Sequence, residues 1–457
     1  MKHFDAIIIG SGQAGFPLAG ALTSKGWKVA LAEASDIGGT CINSGCSPTK
    51  TIIASARVAY LARRGADFGV RIESMTIDWL RIMERKNQII RRFRSGVEQW
   101  LQSIDNLTIY RQFASFEGTN HVRVGDEVIE ADRIYINTGT RPVASSIPGL
   151  ESIPYLNNAT ILDLKAMPEN LVIIGGGYIG LEYAQAFRRF GSQVTVIQRS
   201  GQLLPHEDVD ISDAVKGILK NETVSVLLNT KSEKVEQRNG GIVVTVEQDG
   251  QRREISGSHL LMATGRRPNS DRLNLTQAGV EMDERGYIHV DDHLQTNVSG
   301  IWALGDVNGR GAFTHTSYND YEIVADNIDG GQRKLSDRIS AYAVYVDPPL
   351  GRVGMTEQQV RDSGRKALIA IKPMSHMSRA IERDETQGFI KVLVDAESQQ
   401  FLGAAILGIG GDEIVHTIVD QMYAGAPYTV VKNAVHIHPT ISELIPTLLG
   451  ELKPLAA

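Results

Sequence analysis

Phe4-Asp5-Ala6-Ile7-Ile8-Ile9-Gly10-Ser11-Gly12-Gln13-Ala14-Gly15 opens the chain, an apolar run of strand character that ends in three glycines spaced Gly-x-Gly-x-x-Gly. Small apolar residues at helical spacing follow as far as Lys25, and a second apolar run, Lys28 to Ala32, stops at Glu33. The three glycines differ in what they permit. Gly10 allows the tight turn, Gly12 lets the backbone approach a pyrophosphate, and Gly15 lets helix and strand pack closely. Glu33 stands at the strand end, where a carboxylate accepts hydrogen bonds from a ribose with a free 2′-OH. Strand, glycine turn, helix and strand in this order predict a dinucleotide-binding unit, and the acidic residue suits FAD.

The pattern returns. Leu171 to Ile174 reads as a strand, Gly175-Gly176-Gly177-Tyr178-Ile179-Gly180 as the turn, Leu181 to Phe190 as a helix, and Val194 to Ile197 as the next strand. Gln198 falls as far beyond Gly175 as Glu33 falls beyond Gly10. An amide there brings no negative charge, and Arg199 beside it can pair with a 2′-phosphate. The second unit therefore favours NADPH, with NADH remaining possible and a solvated strand-end charge as the plainer use of Arg199.

Length and composition agree with two such units and more. A chain of 457 residues suggests about three domains. The formal net charge of −6 gives no footprint for nucleic acid or an anionic membrane, so neither is expected as a partner. Residues 6–22 are apolar but broken by glycines and Pro17, which marks fold and not a signal peptide. No charge-free run is long enough for a membrane helix, and a cytoplasmic location is expected. With only 2 cysteines, a disulfide scaffold, a four-cysteine zinc site and an iron-sulfur cluster on this chain alone are excluded.

Between the two units, Ile77, Leu80, Met83, Ile90, Phe93, Val97 and Leu101 recur at helical spacing, then residues 107–130 alternate like short strands. Thr138-Gly139-Thr140-Arg141-Pro142 is echoed by Thr264-Gly265-Arg266-Arg267-Pro268, which suggests a chain that leaves the first domain and returns to it. Ile301 to Asp306 reads as a strand ending in a Gly305-Asp306 turn, and beyond Tyr342 the pattern is antiparallel strands with two or three helices. The expected fold is α/β: two Rossmann-like dinucleotide-binding domains, the NAD(P) unit inserted into the FAD unit, plus a C-terminal α+β dimerisation domain. The boundaries expected are 1–150 and 266–340 for FAD, 151–265 for NAD(P), and 341–457 for dimerisation.

Both cysteines lie in Gly38-Gly39-Thr40-Cys41-Ile42-Asn43-Ser44-Gly45-Cys46-Ser47-Pro48-Thr49-Lys50. Four intervening residues with a glycine before Cys46 let the sulfurs meet in a tight loop at a helix start, where a thiolate is stabilised and exchange is favoured. Two buried free thiols are the structural alternative. Two further motifs carry weaker signals. Met374-Ser375-His376-Met377 offers soft ligands, although core filling suits the methionines better. Arg81, Arg85, Lys86, Arg91, Arg92 and Arg94 read as the solvated face of an amphipathic helix.

Taken together, Cys41-x4-Cys46-x-Pro48-x-Lys50 after the first fingerprint, Gly175-Gly-Gly-Tyr-Ile-Gly-x-Glu182, the late Gly305-Asp306, and His436-Ile-His438-Pro-Thr-x-x-Glu443 resemble the flavoprotein disulfide reductases over essentially the whole chain. This pyridine nucleotide-disulfide oxidoreductase class includes glutathione reductase, dihydrolipoamide dehydrogenase and mercuric reductase. The resemblance implies a redox-active Cys41-Cys46 disulfide, with Cys46 beside the flavin and Cys41 as the interchange thiol. It implies that Lys50 and Glu182 pair near the flavin, that Tyr178 gates the nicotinamide pocket, and that Asp306 binds the ribityl chain. Thr40, Ala114, Thr138 and Gly139 join the implied FAD contacts, and Gly265 joins Gly175, Gly177, Gly180, Gln198 and Arg199 around NAD(P). His438 and Glu443 match an acid-base pair that serves the other subunit of a homodimer. Glu443 has a rival use, because Thr440-Ile-Ser-Glu443 also fits a capping box with Thr440 as N-cap.

The implied activity is transfer of two electrons from NAD(P)H through FAD to the cysteine pair, and on to a small disulfide or a thiol-bound metal ion. Mercuric reductase carries a further cysteine pair near its C-terminus, which this chain lacks. Dihydrolipoamide dehydrogenase usually has an acidic residue where Gln198 stands. The resemblance is strongest to the mercuric-reductase-like group that includes the reactive-chlorine-resistance reductases. Metal-ion reduction, a dihydrolipoamide dehydrogenase role docked in a 2-oxo acid complex, and transhydrogenation that leaves the cysteines unused are the alternatives.

Overall fold

The structure is a computed structural model that describes residues 1–143 and 145–456. Its first sheet carries a parallel core in the order Leu107–Tyr110, Val29–Ala32, Lys2–Ile9, Glu127–Ile136, with Ile301–Ala303 beside the end of the last strand. Strand Lys2–Ile9 sends Phe4, Ile7 and Ile9 into one apolar layer and Ala6 and Ile8 into another. Burial on both faces explains why this strand is an unbroken apolar run and not an alternating one. The run expected to be a strand as far as Asp306 stops at Ala303, and a short 3-10 turn over Gly305–Asn308 follows.

The second sheet repeats the arrangement with Ser225–Leu227, Gln193–Ile197, Asn170–Ile174 and His259–Met262, all parallel, and a three-stranded antiparallel sheet over Thr230–Gly257 accompanies it. The two Thr-Gly echoes meet: Thr140–Pro142 pairs antiparallel with Arg266–Pro268, with Arg141 opposite Arg267. The outgoing and returning chains thus form a two-stranded bridge between the nucleotide sheets. The second Rossmann-like domain is inserted into the first.

From Ala341 onward, a six-stranded antiparallel sheet forms the third domain. Among the described residues its helical segments are six short α-helices and one 3-10 turn, where two or three helices were expected, because Gly425, Pro427 and Pro439 interrupt longer runs. Helix Cys46–Arg63 packs against helix Tyr178–Phe190, with Thr49 Oγ1 3.0 Å from Tyr183 Oη. One apolar cluster joins Ile52 and Ala56 of the first helix to Leu181 and Phe187 of the second and to Val344, Leu350 and Leu407 of the third domain. This shared core fixes the cysteine helix relative to both other domains.

Candidate active site

A cavity of about 1440 Å³ runs between the domains, larger than ordinary small-ligand pockets of roughly 300–1,000 Å³. Gly10, Gly12, Glu33, Thr40, Cys41, Cys46, Lys50, Ala114, Thr138, Gly139, Tyr178, Glu182 and Asp306 all line it. Gly15 lies just beneath, where a Cβ would run into the carbonyl of Gly10. Of the residues assigned to the second nucleotide, Tyr178 lines this cavity, and Gly175, Gly177, Gly180, Gln198, Arg199 and Gly265 do not.

The two glycine turns are near copies. Gly10 N–H donates to Ala32 O at 2.8 Å, and Gly175 N–H donates to Ile197 O at 2.9 Å. Gly10 and Gly175 have φ of +103° and +116°, and a Cβ on either would collide with the carbonyl of Asn137 or Ala263 respectively. Glu33 Oε2 accepts from Ser11 N–H at 2.9 Å and Ser11 Oγ at 2.7 Å, while Gln198 Oε1 accepts from Gly176 N–H at 2.9 Å. Neither following helix has a side-chain N-cap, which leaves its N-terminal end open to an anion. Glycines that admit no Cβ, a carboxylate at the strand end and an uncapped helix start on a long cleft fit an FAD. Gly10, Gly12, Glu33 and Asp306 are the residues that would hold it. Desolvation raises the carboxyl pKa of half-buried Asp306, which accepts from Thr140 Oγ1 at 2.9 Å.

The sulfurs sit at two helix starts. Cys41 lies in the short helix Gly39–Asn43, and Cys46 is the first residue of Cys46–Arg63. Both are free thiols in the structure. A hydrogen bond from Cys41, with further help from Thr314 and Lys50, lowers Cys46 to a pKa of about 6. The same sulfur contact and burial push Cys41 upward, so the pair shares one negative charge with Cys46 as thiolate. Thr314 Oγ1 lies 3.3 Å from Cys46 Sγ.

Behind the sulfurs, Lys50 Nζ donates to Glu182 Oε2 at 2.8 Å, and Tyr345 N–H donates to Oε1 at 2.9 Å. Glu182 is buried, with both carboxylate oxygens engaged. Lys50 also sits 4.6 Å from the centre of the Tyr345 ring. Tyr178 lies tilted on Phe313 with ring centres 5.8 Å apart, and burial pushes its phenol up to about 12.

His438 and Glu443 are brought to each other but not to the cysteines. His438 Nδ1 is 2.9 Å from Glu443 Oε2, and its side chain is 74% exposed outside the cavity. The capping-box expectation is half met: Glu443 N–H donates to Thr440 Oγ1 at 3.2 Å, but the helix begins later, at Leu444, and the carboxylate turns to His438. Pro446 favours that later start, since proline is accommodated in a first helical turn. Met374 and Met377 are fully buried in the core of the third domain. The basic helix departs from a simple solvated face: Lys86 is buried and donates to Leu162 O, and Arg85 reaches Thr51 O at 3.0 Å.

Asn137 and Thr314 escaped the sequence reading. Buried Asn137 accepts from Gly15 N–H at 2.9 Å and donates to Leu304 O at 2.8 Å, tying the fingerprint to the Gly305 turn. It precedes the Thr138-Gly139 pair, so a signal stood next to it. Thr314 meets Cys46 across 268 residues of sequence, and no local pattern announces such a contact.

The family described as "Pyridine nucleotide-disulphide oxidoreductase" matches residues 4–320, and the dimerisation domain of the same family matches residues 340–449. Among curated proteins, the chain is 36% identical to the probable pyridine nucleotide-disulfide oxidoreductase RclA of Escherichia coli K12, covering 99% of this chain and 100% of that one. It is 33% identical to a mercuric reductase of Bacillus cereus, over 95% of this chain and 70% of that one. It is 31% identical to a dihydrolipoyl dehydrogenase of Geobacillus stearothermophilus, over 96% and 94%. The solved structure of a Cu(II) complex of the HOCl-induced flavoprotein disulfide reductase RclA from Escherichia coli superposes with a TM-score of 0.91 at 36% identity, covering 99% of this chain and 100% of that one. The chain belongs to the pyridine nucleotide-disulphide oxidoreductase family and is a flavoprotein oxidoreductase acting on sulfur groups, which implies FAD and NAD(P)H as its cofactors.

Proposed function

We propose that the protein is an NADPH-dependent disulfide reductase that passes two electrons to a small disulfide or a thiol-bound metal ion through Cys41 and Cys46. The observation that carries this reading is the placement of Cys41 and Cys46 at two helix starts on the long cavity, with Thr314 Oγ1 3.3 Å from Cys46 Sγ and the Lys50–Glu182 pair lining the same cavity, an environment that favours the thiolate on Cys46. When bound, FAD supplies the two-electron relay between the nicotinamide nucleotide and this pair. The reduced pair then works as follows. Cys41 passes its proton to His438 of the partner subunit, which Glu443 orients, and its thiolate attacks one sulfur of an external disulfide, forming a mixed disulfide and expelling a thiolate. That thiolate takes the same proton from His438 of the partner subunit. Cys46 thiolate next attacks the Cys41 sulfur, which restores the Cys41–Cys46 disulfide and releases the second thiolate. An exposed His438, bonded to Glu443 and outside its own chain's cavity, supports a homodimer in which each subunit completes the other's site. We place the protein in the cytoplasm, where external thiols are kept reduced.

The likeness to a structure solved as a Cu(II) complex favours a second substrate class, a thiophilic metal ion taken by the same two sulfurs. Turnover of NADPH with oxidised glutathione, lipoamide, coenzyme A disulfide, Cu(II) and Hg(II) tests both. Activity lost in Cys41→Ser is expected with at least one of them. NADPH oxidation by every acceptor at the wild-type rate in Cys41→Ser would overturn the reading in favour of transhydrogenase-type chemistry that bypasses the cysteines.

A further inference from the structure

Three rings form one stack along the cavity wall. Phe313 lies between Tyr342, at 5.3 Å between ring centres, and His315, at 5.5 Å, each with an interplanar angle of 8°. Both outer rings are pinned. His315 Nε2 is 2.7 Å from Ala341 O, and Tyr342 Oη donates to Glu207 of the nucleotide domain. Glu207 is itself held by the buried Arg352, whose Nε donates to Oε2 at 3.0 Å. The Phe313 backbone is fixed independently, since its N–H and its carbonyl both bond to Thr316 Oγ1, at 3.1 and 2.8 Å. Only the orientation of the Phe313 ring is left to the stack. Tyr178 rests on that ring.

We propose that Tyr342, tethered by Glu207, is a positioning residue that holds the Phe313 wall and so sets how firmly Tyr178 covers the nicotinamide pocket. The inference rests on the reading of Tyr178 as the gate over that pocket. A nicotinamide ring must displace Tyr178, so the firmness of its seat opposes nucleotide binding. Glu207 belongs to the loop that follows strand Gln193–Ile197, in which Leu204 N–H donates to the second glycine turn at Gly176 O, at 2.9 Å. The tether therefore links the nucleotide-binding turn to the gate through one side chain. On the sulfur side, Thr314 keeps its contact with Cys46 through a backbone that the tether does not hold.

Tyr342→Phe removes the tether but keeps the ring, while Arg352 still neutralises Glu207. With FAD bound, calorimetry is expected to show NADP⁺ binding about two- to fivefold more tightly, as loss of one net hydrogen bond allows. The pH midpoint of the Cys46 thiolate absorbance should stay where it is in the wild type. Phe313→Leu, which removes the wall itself, should shift NADP⁺ affinity in the same direction. Unchanged affinity in both variants overturns the proposal. So does a shift of the Cys46 midpoint alongside the affinity, which marks general loosening. Wild-type protein that binds FAD but neither binds NADP⁺ nor is reduced by NADPH would overturn the functional reading itself, and the proposal with it.

Discussion

Lys50 and Glu182 come from different domains, yet the ammonium sits 2.8 Å from a carboxylate that is 2% exposed, directly behind the cysteine pair. The bond is possible because the cysteine helix and the helix of the second fingerprint share one apolar core. It places a positive charge beside Cys46 and a negative one where a protein interior tolerates it only with a partner. Lys50→Met strands the buried carboxylate with only the Tyr345 N–H, and is expected to cost about 1–3 kcal/mol, below the fully buried range because Lys50 keeps some solvent contact. Lys50→Met combined with Glu182→Leu should recover part of that loss. Thermal melts of the three variants measure it; a double variant less stable than Lys50→Met would contradict the pairing argument.

The Cys46 thiolate gives a pH dependence of stated sign. Its pKa is lowered to about 6, so the charged sulfur is present above that pH and is lost as pH falls through it. The long-wavelength absorbance of a thiolate against bound oxidised flavin should follow in the two-electron-reduced protein, halving near pH 6. Cys46→Ser should abolish the band. Thr314→Val should move the midpoint upward and Thr314→Ser should restore it, because the hydroxyl at 3.3 Å favours the thiolate. A midpoint near 8.5, as for a free thiol, would show that the contacts do not act on this sulfur.

We propose that cofactor choice turns on Arg199, which is exposed just beyond the second fingerprint strand. If it meets the 2′-phosphate, Arg199→Ala raises KM for NADPH by about tenfold, within the range of a charged hydrogen bond, and leaves KM for NADH unchanged. Steady-state kinetics with both nucleotides decide this. Gln198 should matter to both, because its side-chain carbonyl holds Gly176 N–H and so shapes the turn itself.

Much of this architecture was legible because the decisive signals are local. A glycine turn between apolar runs needs no tertiary knowledge, and Glu33 and Gln198 could be equated by position before their matching bonds to Ser11 and Gly176 were visible. The Thr-Gly echo pointed to a chain that returns to its first domain, while the pairing of the two segments edge to edge became visible only in the fold. What stayed hidden depends on long-range packing. Thr314 acquires its role only when the helix it starts is brought against Cys46. Lys86 read as a surface charge because its neighbours on the helix are basic, yet the fold buries it against the Leu162 carbonyl. The contest over Glu443 could not be decided from spacing, since the one carboxylate stands at a suitable interval from both His438 and Thr440; in the fold the helix starts at Leu444 and the carboxylate turns to His438.

The exposed His438 yields the sharpest test of assembly. Its ring bonds Glu443 and lies outside the cavity that holds the sulfurs of its own chain. His438→Ala should slow disulfide turnover by about 10²- to 10⁴-fold, the usual contribution of a positioned acid-base group, while leaving flavin reduction by NADPH unaffected. Co-expression of His438→Ala subunits with Cys41→Ser subunits then separates action within a chain from action across the dimer. In a mixed dimer, one site combines intact cysteines with an intact His438 from the other subunit, and the second site lacks both. Random pairing makes about half of the dimers mixed, so activity should return to roughly a quarter of wild type from two nearly inactive parents. If His438 served its own chain, the mixed dimers would have no complete site, and activity would stay at the parental level.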